Sequence, residues 1–177
     1  MTRLHVRLVV VVITTVALTF VSETAPASAG GGNHCVVTVV AQRPSGELVT
    51  GSPVCFATFV EAMHSAGVDT SGLAGTSPTD LAAAGRLQTS ASSIIGIHYD
   101  GSGFTGSSFT VSGTNCSGGW LNVAPVWNDR ISSTVNGCPR IRHYWDANLS
   151  GTYQDTTGFG GNLTTLDNQT TSIQYLS

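Results

Sequence analysis

The chain has 177 residues, with seven arginines and no lysine against ten acidic residues, for a formal net charge of −3. Without a basic face it has little with which to neutralise phosphates, so nucleic acid is excluded as an expected partner. Charged residues make up only 10% of the chain, and Gly, Ser, Thr and Asn carry the polar chemistry, which suits β-structure with many turns.

Arg3, His5 and Arg7 precede an apolar run from Leu8 to about Val21, and Ala27-Ser28-Ala29 closes the segment. A basic start, a short apolar stretch and an A-x-A site read as a secretory signal peptide over residues 1–29. The apolar run is roughly 14 residues long, short of the ~20 that a membrane-spanning helix needs. The expected product is a secreted, soluble chain from Gly30 to Ser177, with no membrane partner. All four cysteines, Cys35, Cys55, Cys116 and Cys138, lie in it. An even number in an exported chain implies disulfides. Three pairings are open; Cys35–Cys55 with Cys116–Cys138 is favoured, because each bridge then staples one half of the chain. No C-x-x-C or H-x-x-x-H spacing supports zinc.

Residues 30–90 read as a small α+β extension. Cys35 to Ala41 is a β-branched apolar run and predicts a strand, and Arg43-Pro44-Ser45-Gly46 a turn. Ser52-Pro53 predicts a helix start, with Phe56, Phe59, Val60 and Met63 on one face and Gly67 as its stop. His64 then falls near that helix's C-terminus. Ser77-Pro78-Thr79-Asp80 predicts a second helix through about Ala84, with Gly85 as its stop. The apolar face of the extension needs a partner, and the rest of the chain is the expected one.

Residues 91–177 alternate short β-branched and aromatic segments with turn residues, the pattern of an all-β sandwich. They also repeat. Tyr99-Asp100-Gly101-Ser102-Gly103-Phe104-Thr105-Gly106 matches Tyr144-Trp145-Asp146-Ala147-Asn148-Leu149-Ser150-Gly151 as aromatic-x4-apolar-x-Gly. Downstream of each stands a polar six, Asn128-Asp129-Arg130-Ile131-Ser132-Ser133 and Asp167-Asn168-Gln169-Thr170-Thr171-Ser172. Both fit [N/D]-[N/D]-x-x-[S/T]-S.

Two copies of each signature, alternating over about half the chain, resemble the βγ-crystallin family. Leu149, where an aromatic is usual, is the one departure. The resemblance implies two Greek-key motifs packed as a sandwich, with motifs exchanged across a pseudo-twofold axis and Ca2+ bound at the polar sixes. Carried over position by position, Asp129 and Asn168 would supply side-chain oxygens and Ser132 and Thr171 hydroxyls. Arg130 and Gln169 would supply carbonyls with their side chains turned outward, and Asp100 and Trp145 further carbonyls. The chemistry suits the ion: calcium is hard and takes six to eight oxygens at about 2.3–2.6 Å. The same side chains also cap turns without metal.

No nucleophile elbow, H-E-x-x-H or phosphate loop occurs, and a non-enzymatic role is expected. His98 and His143 occupy equivalent positions before the two hairpin tyrosines, which predicts a repeated structural role. Trp120, Trp127 and Trp145 read as core. The sequons at Asn148, Asn162 and Asn168 overlap the repeat and read as incidental. Secreted actinobacterial proteins of this type are similar to metalloproteinase inhibitors. The resemblance therefore implies a monomeric peptidase inhibitor with a secreted protease as partner, or else a cell-surface or glycan-binding module or a toxin-like antimicrobial protein.

Overall fold

The computed structural model describes residues 33–72, 77, 79–80, 94–113 and 116–177. The expected signal peptide and most of the helix expected after Ser77 lie outside them. Of that helix only the start is described: Ser77 N–H and Oγ donate to Asp80 Oδ2 (3.1 and 2.8 Å) and Asp80 N–H donates to Ser77 Oγ (3.2 Å).

The expected all-β sandwich is present. Strands run in the order β1 (His34–Gln42), β2 (Leu48–Thr50), β3 (Val54–Phe56), β4 (Ile94–Gly101), β5 (Thr105–Ser112) and β6 (Trp120–Asn122). They continue with β7 (Ser133–Asn136), β8 (Arg140–Asp146), β9 (Ser150–Thr157), β10 (Gly160–Asn162) and β11 (Ser172–Leu176). Helix α1 (Phe59–Ser65) interrupts them after β3. One sheet has the order β10-β7-β4-β5-β1-β2, with β3 also paired to β1; the other has the order β6-β11-β8-β9.

The two Greek keys are β4–β7 and β8–β11, and each gives its third strand to the other sheet. The third strand of the first key, β6, pairs with β11, and the third strand of the second, β10, pairs with β7. The exchange joins the sheets around one core that includes Phe109, Val111, Trp127, Ile131, Ile141, Ile173 and Tyr175. It also brings the loops that follow the third strands, and hence the two polar sixes, side by side.

The N-terminal segment extends the first sheet. β1 runs parallel to β5, with Cys35 opposite Phe109 and Val37 opposite Val111. Helix α1 then covers the outer face: Val36, Ala62, Met63, Ala66 and Val68 are buried with Ile94, Ile97, Tyr99 and Val135. This explains the unbroken apolar run Ile94-Ile95-Gly96-Ile97-His98-Tyr99. A strand covered on both faces has no solvent side, so it loses the period-2 alternation of a half-exposed strand.

Helix α1 starts later than Ser52-Pro53 suggests. Val54–Phe56 forms a strand instead, because Cys55 sits directly opposite Cys35 in the β1–β3 pairing and is disulfide-bonded to it. The cap is Thr58, whose Oγ1 accepts from Glu61 N–H while the Glu61 carboxylate accepts from Thr58 N–H, a reciprocal capping box. His64 lies in the last turn. The second bridge joins Cys116 to Cys138, at a sequence separation of 22, just as the first spans 20. Disulfides of this kind persist in oxidising, extracellular surroundings.

Candidate metal centre

The two hairpins are built alike. In the first, Gly103 and Phe104 have φ of 67° and 64°; in the second, Asn148 and Leu149 both have φ of 59°. Such left-handed backbone is costly for non-glycine residues and persists where neighbours hold it. The holders are matched. Ser133 Oγ accepts from Phe104 N–H (2.9 Å) and donates to Gly101 O (2.6 Å). Ser172 Oγ accepts from Leu149 N–H (3.1 Å) and donates to Asp146 O (2.6 Å). The last serine of each polar six therefore locks its own key's hairpin.

The exchanged strands add a second tie. Asn162, on β10, accepts from Gly103 N–H (2.7 Å), and Asn122, on β6, accepts from Asn148 N–H (2.8 Å). Each hairpin is thus held by the other key's third strand. In the sequence Ser133 and Ser172 stand only as the closing residues of the polar sixes, Asn148 as an unassigned position of the hairpin signature and Asn162 as an incidental sequon, while Asn122 carries no local signal. Gly106 and Gly151 close the hairpins with φ of 79° and 74°, and a Cβ on either would collide with the carboxylate of Asp100 or Asp146.

The polar sixes meet reciprocally. Asp129 N–H donates to Thr170 O (3.2 Å) and Asn168 N–H to Ile131 O (3.0 Å). Asp129 and Asn168 adopt the same left-handed turn, at φ of 56° and 55°. Thr171 Oγ1 then lies 3.5 Å from Asp129 Oδ1, and Ser132 Oγ lies 3.3 Å from Asn168 Oδ1. Each pair joins a side-chain oxygen of one key to a hydroxyl of the other. The hydroxyl residues are tied to the hairpin strands in turn: Ser132 N–H donates to Tyr99 O (2.8 Å) and Thr171 N–H to Tyr144 O (2.9 Å). Asp100 and Trp145 are the next residues along those strands.

The donor set fits a calcium ion. Two oxygens held about 2.4 Å from one ion and at right angles would be about 3.4 Å apart, which is the spacing these pairs already have. Carboxylate, amide, hydroxyl and main-chain oxygens are all hard donors. Among the described residues no three His, Cys, Asp or Glu side chains cluster as metal ligands. A cation here would therefore depend on neutral oxygens for most of its shell.

The side chains flanking the sixes depart from expectation. Arg130 does not simply turn outward. Its guanidinium donates to Asp100 Oδ2 (2.8 Å) and Val126 O (2.9 Å), and it lies over the Trp127 ring, 5.1 Å from the centroid. Gln169 turns its Oε1 inward, where it is buried without a hydrogen-bond partner. Trp127 is core, as expected, but Trp145 is 47% exposed, because its position on the hairpin rim faces solvent; Trp120 is half-buried.

His98 and His143 are fully buried. Thr134 Oγ1 lies 2.9 Å from His98 Nδ1 and 2.9 Å from His143 Nε2, and Tyr175 OH lies 3.0 Å from His98 Nε2. Burial holds His98 well below the ordinary imidazole range, with His143 adding to the shift. Burial lowers His143 to about 4. Both rings are therefore neutral at pH 7, and their role is to join the sheets. On the opposite face of the second sheet, Arg142 binds Asp155 through two hydrogen bonds (2.7 and 2.9 Å), which hold the Asp155 carboxyl below its usual range.

No protein-family model matches the chain, and no curated protein matches it. Solved structures do show similarity. A βγ-crystallin from an archaeon is 24% identical, covers 47% of this chain and 98% of its own, and has a TM-score of 0.38. A βγ-crystallin domain from Clostridium beijerinckii is 17% identical, covers 46% and 97%, and also has a TM-score of 0.38. The βγ-crystallin domain of abundant perithecial protein from Neurospora crassa, solved in its Ca2+-bound form, is 16% identical, covers 44% and 82%, and has a TM-score of 0.34. These structural neighbours are all βγ-crystallin domains.

Proposed function

We propose that this chain is a secreted calcium-binding protein of the βγ-crystallin type, whose ions brace a disulfide-stapled sandwich. The observation that carries the reading is the reciprocal pairing of Asp129 with Thr171 and Asn168 with Ser132 across the exchanged keys. Asp129, Asn168, Ser132 and Thr171 would hold the ions by side chain, with main-chain oxygens of Arg130, Gln169, Asp100 and Trp145. A bound ion would link loops of the two keys, and any ligand that binds only the folded state stabilises it by mass action. So few carboxylates suit the weaker, extracellular affinity range, about 10⁻⁵ to 10⁻³ M. Titration calorimetry with calcium, and thermal melts in calcium and in chelator, test this. Heat of binding and a raised melting temperature are expected; no heat and no shift would overturn it.

The role we assign beyond metal binding is peptidase inhibition. Its support is the resemblance in the two motif pairs, together with a scaffold stapled at Cys35–Cys55 and Cys116–Cys138 that would resist cleavage. Assay against thermolysin-like and subtilisin-like proteases separates the two claims. If all are unaffected, the inhibitor role falls and the calcium reading stands.

A further inference from the structure

We infer that the two cation sites are unequal by construction: the Asp129–Thr171 site fills first, and the Arg130–Asp100 ion pair holds back the Asn168–Ser132 site. The inference rests on the calcium reading above and assigns an order within it.

The backbone treats the two sites as equals and the side chains do not. At the first site the acidic position of the polar six is a carboxylate, with Asp129 Oδ1 beside Thr171 Oγ1. At the second it is a neutral amide, with Asn168 Oδ1 beside Ser132 Oγ. Affinity for a hard divalent ion rises with the number of charged oxygens around it.

The hairpins widen the difference. The first hairpin, which serves the Asn168–Ser132 site, carries the carboxylate of Asp100. That group is already committed, accepting from Ser107 N–H (2.7 Å) through Oδ1 and from Arg130 Nη2 (2.8 Å) through Oδ2. Arg130 is fixed in turn by Val126 O and by the Trp127 ring. The pair is partly exposed, with side-chain exposures of 49% for Arg130 and 21% for Asp100. Its own contribution to stability is therefore small. Its effect is to cancel the formal charge that Asp100 would lend to an arriving cation.

The second hairpin, which serves the Asp129–Thr171 site, carries Asp146 against Gly151. The residue equivalent to Arg130 in the second polar six is the uncharged Gln169. The Asn168–Ser132 site keeps Asp167 next to it, accepting from Asn168 Nδ2 (3.3 Å), but the oxygen it sets beside the hydroxyl is an amide and its hairpin carboxylate is paired with Arg130; the Asp129–Thr171 site sets a carboxylate oxygen there. Both rest on the same hydrogen-bonded frame, so the difference lies in charge and not in shape.

Calcium titration calorimetry on the secreted protein, beside three nearly isosteric or charge-only variants, tests the order. The expected result is two classes of site at least tenfold apart. Asp129→Asn should remove the tight class and leave the weak one. Asn168→Asp and Arg130→Gln should each tighten the weak class several-fold, Arg130→Gln with its main-chain carbonyl intact. Thermal melts in chelator check that each variant folds, and Asn168→Asp, a gain of binding, cannot be produced by misfolding. Two classes of equal affinity would overturn the inference and leave the calcium reading standing. So would a tight class that survives Asp129→Asn. Absence of any binding heat in the unaltered protein would overturn both.

Discussion

His98 and His143, on the first strands of the two Greek keys, meet edge to face in the core with their ring centroids 5.5 Å apart. Neither ring reaches solvent, and Thr134 Oγ1 joins them.

That arrangement makes stability depend on pH, with a definite sign. Desolvation lowers His143 from 6.5 to about 4 and also lowers His98. Below 6.5 the unfolded chain binds protons that the folded chain excludes, so stability falls as pH drops through 6.5, and the share due to His143 is fully lost near 4. A shift of this size is worth about 3 kcal/mol for His143. Urea unfolding at pH 7.5, 5.5 and 4.5 should show a steady loss, reduced in His143→Gln. Constant stability across that interval would contradict the buried neutral pair. The Arg142–Asp155 bridge gives a separate loss at lower pH: the Asp155 carboxyl is held below 3.8, so its contribution fades only as pH falls through its own range.

The hairpin locks give a second test. Ser133→Ala removes both the acceptor for Phe104 N–H and the donor to Gly101 O, and Ser172→Ala does the same for Leu149 N–H and Asp146 O. Stranding such groups costs about 1–3 kcal/mol for each serine. Because the locks hold the hairpins beside the polar sixes, each change should also weaken the proposed calcium binding. Denaturant unfolding and calcium titration of both variants would read this. Loss below about 0.5 kcal/mol in either would mean that water replaces the serine at no cost.

The uneven legibility of the sequence has a physical pattern. The polar sixes and hairpin signatures are local strings, and local strings fix local backbone: the φ values of Asp129 and Asn168 agree within a degree. The cysteines too pair within their own halves of the chain, Cys35 with Cys55 and Cys116 with Cys138. Pairings formed at a distance leave no local trace. Asn122 and Asn162 serve hairpins of the opposite key, 26 and 59 residues away, and nothing beside them in sequence says so. Ser52-Pro53 carries good helix-start chemistry, yet the segment after it is extended, because Cys55 pairs across to Cys35 and the helix waits for the box at Thr58 and Glu61. Trp145 reads as core from the sequence, whereas its place on a hairpin rim exposes it.

Helix α1 covers the outer face of β4, which predicts that the extension and the sandwich unfold together. Met63 is fully buried among Val36, Ile97, Tyr99 and Val135. Met63→Ala leaves a cavity there and should cost about 2–4 kcal/mol. Unfolding monitored separately by far-ultraviolet circular dichroism and by Trp127 fluorescence should shift by the same amount in a single transition. A destabilised helix signal with an unchanged tryptophan transition would show that the extension folds alone.

The bridge Cys116–Cys138 precedes β6 and follows β7, and β6 is the strand handed to the second sheet. It therefore constrains the chain on both sides of the first exchange. Closing a loop of this size is worth about 3 kcal/mol in the chain-entropy model. The Cys116→Ser, Cys138→Ser double variant should lose about that much stability and should become more open to proteolysis in the 124–132 loop. Cys35→Ser with Cys55→Ser removes a bridge between neighbouring strands outside the keys. Its loss of stability should be similar in size, while calcium affinity stays within a few-fold of the unaltered protein. Equal damage to the proposed calcium binding from both double variants would mean that the extension supports the polar-six loops as strongly as the exchanged strand does.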